Sequence, residues 1–390
     1  LEFIGNKYRA VADRIGRWEV KIPPLPSCGP VVMKISGKTE LKIKDVMLGE
    51  VWIAVGDNGL SIPLSRCPDG LIAARRAELS PLRFFQLSAE DNLADGLNGR
   101  HWQRCSPAIA PDLSGLGFYF GRDLFLILNI PVGVIVLPRN GASLISWQSG
   151  PARQQTLDLA VPYACRGILW AQCNPTDRDG SVYRRQFAEL VASWRRDWQR
   201  DLFFLVAQLP RCEQQFPMPQ TDSIVAPLRE GQHLEASGIA DAATVVTIDQ
   251  ELNGEHYWSN PATVGSRLAL TAVDKIHKMV LLRGKKLVSG GPVFSSMKVN
   301  GNKATIRFKD VAGSLKTNDG KALRHFAVSG RNGHFYWANA AITGKDTVEV
   351  WSGKVTAPVA VRYAWADNPA GCNLYNDAGL PAAPFRTDRQ

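Results

Sequence analysis

Four short runs of nearly uninterrupted apolar residues constrain this chain most: Val51–Val55, Val132–Leu137, Gly167–Gln172 and Leu202–Leu209. Each is too short for a helix, and none shows the in-out alternation of a half-solvated strand. A strand apolar at consecutive positions is buried on both faces, which is the pattern of a parallel sheet covered by helices. The covering helices are legible too. Over Val182–Arg200, the residues Phe187, Leu190, Val191, Trp194 and Trp198 fall on one face at i, i+3, i+4 spacing. Leu116–Leu128 and Ala262–Lys275 have the same period. Strands alternating with helices predict an α/β domain with a parallel sheet flanked by helices, spanning 49–277. The longest apolar run, Leu124–Leu137, is broken by Asn129 and Pro131. It falls short of the ~20 apolar residues that cross a bilayer. It reads as a buried strand entered through a turn, so no membrane span is expected.

The flanks read differently. Residues 1–48 alternate over Val31–Ile35 and Leu41–Ile43, with Pro23, Pro24, Pro26, Gly29 and Pro30 as turn residues nearby. After about Lys278 short alternating strands return at Ala304–Phe308, Phe326–Ser329, Val348–Trp351 and Val359–Trp365. These predict a β-sandwich over 278–390, ending in a C-terminal tail and completed by the strands of 1–48, with the α/β domain inserted between the two β regions.

Charge and cysteine usage narrow the function classes. The net charge is +10, but the basic residues are dispersed. The densest groups are Arg184, Arg185, Arg195, Arg196 and Arg200 on one helix, and Arg283, Lys285 and Lys286 around a turn. No nucleic-acid motif accompanies them, so they read as solvated faces rather than a nucleic-acid surface. The seven cysteines include no C-x-x-C pair, so zinc and dithiol chemistry lack support and no metal or cofactor is expected. A Cys28–Cys67 bridge, or a similar one, is open in an oxidising compartment. The chain begins at Leu1 with no basic segment followed by an apolar one, so no signal peptide is visible.

Three stretches carry a resemblance. Asp45–Leu64 reads DVMLGEVWIAVGDNGLSIPL; Gly167–Pro210 contains GILWAQ, YRRQF, WRRDW and FFLVAQLP; Val361–Asp388 reads VRYAWADNPAGCNLYNDAGLPAAPFRTD. LREGQ at Leu228–Gln232 and VGSRLAL at Val264–Leu270 add to it. With these residues the chain resembles the sialate O-acetylesterases, carbohydrate esterases of the SGNH-hydrolase class. The resemblance implies an SGNH-hydrolase-like sheet with a β-sandwich, a glycan ligand, a secreted or periplasmic location and no cofactor.

The resemblance also locates the family's catalytic blocks, and each is altered. The nucleophilic serine of its G-Q-S-N-M turn corresponds to Asn58 in Gly56-Asp57-Asn58-Gly59-Leu60. An amide cannot be deprotonated into an acyl-transfer nucleophile. Ser61 follows three residues later and is expected to face elsewhere. The Gly-Gly-Thr turn that helps bind the oxyanion reads Asn140-Gly141-Ala142. In the W-Y-Q-G-E block Gln172 remains and Asn174 stands at the Glu position. The loop supplying the general base falls on Glu255-His256-Tyr257-Trp258, with Glu255 at the acid position, Tyr257 at the base position and His256 one residue away as a shifted base.

These substitutions predict a pseudoenzyme, because a base without a nucleophile completes no triad. Two non-catalytic roles compete. In one, the cleft binds a glycan through Asp57, Asn58, Asn140, Gly141, Gln172, Asn174, Glu255 and His256. In the other, the fold serves as a building block in a homo- or hetero-assembly. Two enzymatic readings stay open: esterase activity by rearranged residues such as Ser61, and acid–base work on a glycan by Asp57 and Glu255 with His256 and Tyr257 beside them.

Overall fold

In the computed structural model the described residues are 1–88, 101–161, 163–172, 179–211, 215, 217–219, 222–251, 258–282 and 284–388. The four apolar runs lie side by side in one seven-stranded sheet. Its spatial order is Ala242–Val245, Phe203–Ala207, Gly167–Ala171, Glu50–Gly56, Val132–Pro138, Leu79–Gln86 and Gln103–Cys105. Every neighbouring pair is parallel except the last. The first strand in the chain, Glu50–Gly56, thus sits at the centre, between Val132–Pro138 and Gly167–Ala171.

The pleat sends successive side chains of the central strand into two different cores. Trp52 and Ala54 pack with Phe118 and Phe120 of helix Gly115–Leu128 and Leu268 and Ala272 of helix Pro261–Lys275. Ile53 and Val55 face the other way, toward Tyr183, Phe187, Leu190 and Trp194 of helix Gly180–Trp198. That helix starts where the Asp179 side chain accepts hydrogen bonds from Ser181 N and Val182 N, and it stops at Gln199 in the left-handed region. Trp147, Trp170 and Trp194 meet edge-on with centroids 6.1–6.2 Å apart. This is the arrangement the ring quadrupole favours. One of the basic residues on that helix is structural: Arg195 donates to the carbonyls of Leu202, Ala240 and Asp241.

The C-terminal region forms the expected sandwich. One sheet pairs Val293–Asn300, Lys303–Lys309, Thr347–Trp351 and Asn339–Ile342; the other pairs Phe335–Trp337, Phe326–Ser329, Ala360–Tyr363 and Phe385–Arg386. Ile306, Phe308, Val328, Val350, Val361 and Phe385 fill the space between them.

The N-terminal strands do not complete this sandwich. Cys28–Ser36 and Glu40–Leu48 form a four-stranded sheet with Glu2–Phe3 and Asn6–Lys7. Among the described residues none of these strands pairs with the sandwich. Asp45 instead bonds Arg83 and Arg104, both 2.9 Å away on the last two strands of the α/β sheet. Glu50 follows Leu48 after a single residue, so the chain enters the central strand straight from this small sheet. The proposed Cys28–Cys67 bridge is absent as well: Cys28, Cys67, Cys105, Cys165 and Cys372 are free thiols. Burial pushes Cys67 up to about 11 and Cys105 and Cys165 up to about 12, which suppresses thiolate reactivity.

At the start of the central strand the buried Glu50 carboxylate lies 3.1 Å from Arg166 Nε and 2.8 Å from His277 Nε2, and it accepts a hydrogen bond from Trp52 Nε1 at 3.2 Å. Burial alone raises this carboxyl, but His277, Trp52 and Arg166 outweigh it and hold the group below its ordinary value. A depressed carboxyl contributes stability above its unfolded value, near 4.3, and loses it as pH falls through the folded value. Glu50→Gln is therefore expected to cost about 1–3 kcal/mol at pH 7. Its melting temperature should also fall less steeply than that of the unaltered protein below about pH 4.5. Melting curves between neutral and acid pH check both effects, and parallel acid limbs would exclude the linkage.

Candidate functional site

The parallel strands end on one side of the sheet, and a crevice opens where neighbouring strands connect in opposite directions. Here that place is the end of Glu50–Gly56. The chain moves from it toward Leu79–Gln86 on one side and later reaches Gly167–Ala171 on the other. Gly56 makes the close packing possible: a Cβ on it would lie 2.0 Å from Ala171 O. Asp57 N donates to Ala171 O at 3.3 Å and Arg139 N donates to Gly56 O at 2.7 Å, which ties the three strand ends together.

Asp57 then starts a single helical turn, Asn58–Ser61, and its own carboxylate caps it by accepting from Gly59 N at 3.3 Å. Asp57 is buried, and Asn58 is half-buried at the head of the turn. Positions three apart on a helical turn share a face, so Ser61 stands beside Asn58 rather than turning away. The Ser61 hydroxyl donates to Asn140 Oδ1 at 3.1 Å. The expectation that Ser61 faces elsewhere is thereby corrected.

Asn140 and Gly141 form the exposed turn after Val132–Pro138, with Gly141 at φ +70°, a conformation that suits glycine. Gln172 follows Gly167–Ala171 but is buried. Its amide donates to Ala142 O at 3.3 Å, and its carbonyl accepts from the Tyr183 hydroxyl at 3.2 Å. Gln232 Nε2 donates to that hydroxyl at 3.3 Å, and Gln232 Oε1 accepts from Leu209 N at 2.8 Å. Gln172 thus belongs to a satisfied buried row that supports the turn at Ala142. The structure brings together Asp57, Asn58, Ser61, Asn140, Gly141 and Gln172. Asn174, Glu255, His256 and Tyr257 lie outside the described residues. Trp258, next to the last of them, is a core residue whose indole N–H donates to Thr247 Oγ1 at 3.3 Å.

Sequence reasoning assigned no role to Tyr183, Gln232 or Arg229, although LREGQ contains two of them. Arg229 is fully buried and donates to the carbonyls of Leu209, Pro210, Ala366 and Asp367. It joins the loop after Phe203–Ala207 to the sandwich segment after Ala360–Tyr363. Among the described residues no group of three or more His, Cys, Asp or Glu is arranged to hold a metal ion, and no helix is long and apolar enough to cross a membrane.

Comparison with known proteins adds to this geometry. A carbohydrate acetylesterase from Xanthomonas citri superposes with a TM-score of 0.88 at 30% identity, over 97% of this chain and 90% of that one. The chain belongs to the family of carbohydrate acetylesterases that includes the sialate O-acetylesterases. The human sialate O-acetylesterase is 21% identical over 460 residues, covering 98% of this chain and 84% of that protein. The sialate O-acetylesterase of Pongo abelii is likewise 21% identical, over 462 residues. No family model matches the chain. Membership accounts for the sheet order and the sandwich.

Proposed function

We propose that this member of the carbohydrate acetylesterase family is catalytically degenerate and binds a glycan through the polar cleft at the strand ends. One observation carries the reading: the pairing of side chains on the turn after the central strand. The residue that opens the turn is Asn58, and the hydroxyl brought beside it, Ser61, donates to the amide oxygen of Asn140 at 3.1 Å. An acyl-transfer nucleophile needs a neighbour that can take its proton. An amide oxygen accepts a hydrogen bond but is no base for that transfer. The same amides, with the buried carboxylate of Asp57 beneath them, are groups that exchange hydrogen bonds with sugar hydroxyls. The secreted or periplasmic location implied by the family resemblance belongs to this reading.

The test is direct. The purified protein is expected to hydrolyse 4-nitrophenyl acetate and O-acetylated sialic acid no faster than buffer, and Asn58→Ser alone is expected to restore nothing. An Asn58→Ala, Asn140→Ala variant should lose binding on a glycan array on which the unaltered protein shows a defined set of ligands. Turnover that survives repurification and disappears in Ser61→Ala would overturn the reading and make Ser61 a nucleophile. Binding to no glycan, together with large buried surfaces between copies, would favour the assembly role instead.

A further inference from the structure

A groove of about 610 Å³ lies away from the turn at Asn58, where the sandwich meets the loop that follows Phe203–Ala207. Gln215 and Pro217 of that loop form one side, and Arg324, His325 and Trp337 of the sandwich form the other. Trp337 belongs to the edge strand Phe335–Trp337 and is 39% exposed, yet its ring is fixed: the indole N–H donates to Pro217 O at 2.7 Å. His325 stands edge-on to it with ring centroids 5.7 Å apart, and its Nε2 is 2.7 Å from Ala370 O. A carbonyl only accepts, so this nitrogen carries the proton and the other ring nitrogen offers a lone pair. Gln215 Nε2 reaches the same carbonyl at 3.1 Å. The charge of Arg324 is matched by Asp319, 2.6 Å away, and its Nε donates to Gly371 O at 2.7 Å.

His325 itself lies in the left-handed region at φ +63°, as do several other non-glycine residues of the chain. The groove therefore has an immobilised aromatic face, hydrogen-bonding groups around it, and little net charge. Burial, the main influence on His325, lowers its proton affinity. A π face with partial negative charge suits the slightly positive C–H face of a pyranose ring, and the polar groups around it suit sugar hydroxyls. A fixed ring also loses little conformational freedom when a ligand binds.

We infer that this groove is a second glycan subsite that takes pyranose rings of a neutral oligosaccharide by stacking on Trp337, with Arg324, His325 and Gln215 bonding its hydroxyls. The inference rests on the glycan-binding reading and extends it. Strand Phe203–Ala207 ends on the same side of the sheet as the central strand and two positions away, a lateral step of about 10 Å. A hexasaccharide is long enough to occupy more than one subsite, whereas a disaccharide occupies one.

The experiment measures affinities of the full chain for xylohexaose, cellohexaose and their disaccharides, for the unaltered protein and for Trp337→Ala, Trp337→Phe and Asn58→Ala. Melting curves confirm that each variant is folded. The expected result is a loss of about tenfold in hexasaccharide affinity for Trp337→Ala, less than about threefold for Trp337→Phe, which keeps a stacking face but gives up the bond to Pro217, and no change for disaccharides held at the cleft. Equal losses in Trp337→Phe and Trp337→Ala would mean that the indole only anchors the loop, and would overturn the subsite. Loss of binding in Asn58→Ala with none in Trp337→Ala would also overturn it while leaving the cleft reading intact. Loss in Trp337→Ala with none in Asn58→Ala would support the subsite and remove the cleft reading. Absence of binding by the unaltered protein to every one of these sugars would overturn the subsite for neutral chains.

Discussion

Replacing Arg229 with alanine should destabilise the protein by at least about 4 kcal/mol, the largest effect expected of any single side chain outside the aromatic core. The guanidinium is fully buried and serves four main-chain carbonyls, those of Leu209, Pro210, Ala366 and Asp367. Each carbonyl left without a donor in a dry interior costs about 1–3 kcal/mol. Arg229→Lys should recover only a small part, because an ammonium cannot reproduce the planar fork that reaches carbonyls on both sides. The neighbouring pairing sharpens the expectation. The Asp367 carboxylate accepts from Ser223 Oγ at 2.5 Å and from Val225 N at 2.9 Å, so it holds the start of the helix that presents Arg229. Loss of the arginine should therefore loosen the sandwich and the helix together. Denaturant curves measure the loss, and limited proteolysis should show earlier cleavage on both sides of the contact. A midpoint unchanged in Arg229→Ala would show that water or another group replaces the guanidinium without cost.

The second large effect is expected at Gly56. A methyl group there would sit 2.0 Å from Ala171 O and 2.6 Å from Ala171 C. Both are main-chain atoms of a paired strand, so neither can swing aside as the end of a flexible side chain could. The central strand would have to separate from Gly167–Ala171 at the end where Asp57 N bonds Ala171 O. Gly56→Ala should cost about 3 kcal/mol or more, at the upper end of overpacking penalties. Gly141→Ala provides a contrast. Nothing lies within 4 Å of its added Cβ, but its φ of +70° should cost about 1 kcal/mol. A melting-temperature shift clearly larger for Gly56→Ala separates close approach from backbone strain, and equal shifts would refute the steric argument.

How far the sequence reveals these features depends on the range of the interactions that make them. The four apolar runs show the buried strands because burial on both faces leaves its mark in consecutive residues. The helix ending at Trp198 is legible because its apolar period is local. The ownership of the N-terminal strands was not legible: Val31–Ile35 and Leu41–Ile43 alternate as a sandwich strand would, and only the contacts of Asp45 with Arg83 and Arg104 show where that sheet belongs. At the site, the turn at Asn58 could be placed from the residues around it. The direction of Ser61 could not, because it depends on Asn140, 79 residues away in the chain. The support beneath it was hidden for the same reason. Gln172 could be picked out from its block, but its partners Tyr183 and Gln232 are unremarkable letters until the sheet brings them within hydrogen-bond distance.

That buried row has a consequence for how such a protein can change over time. The lip of the cleft, where Asn58, Ser61 and Asn140 stand, is held by main-chain bonds between strand ends and from below by a row of amides and a phenol. The groups that would do chemistry and the groups that hold the shape are different residues. A lineage can therefore exchange the former while the latter keep the scaffold intact.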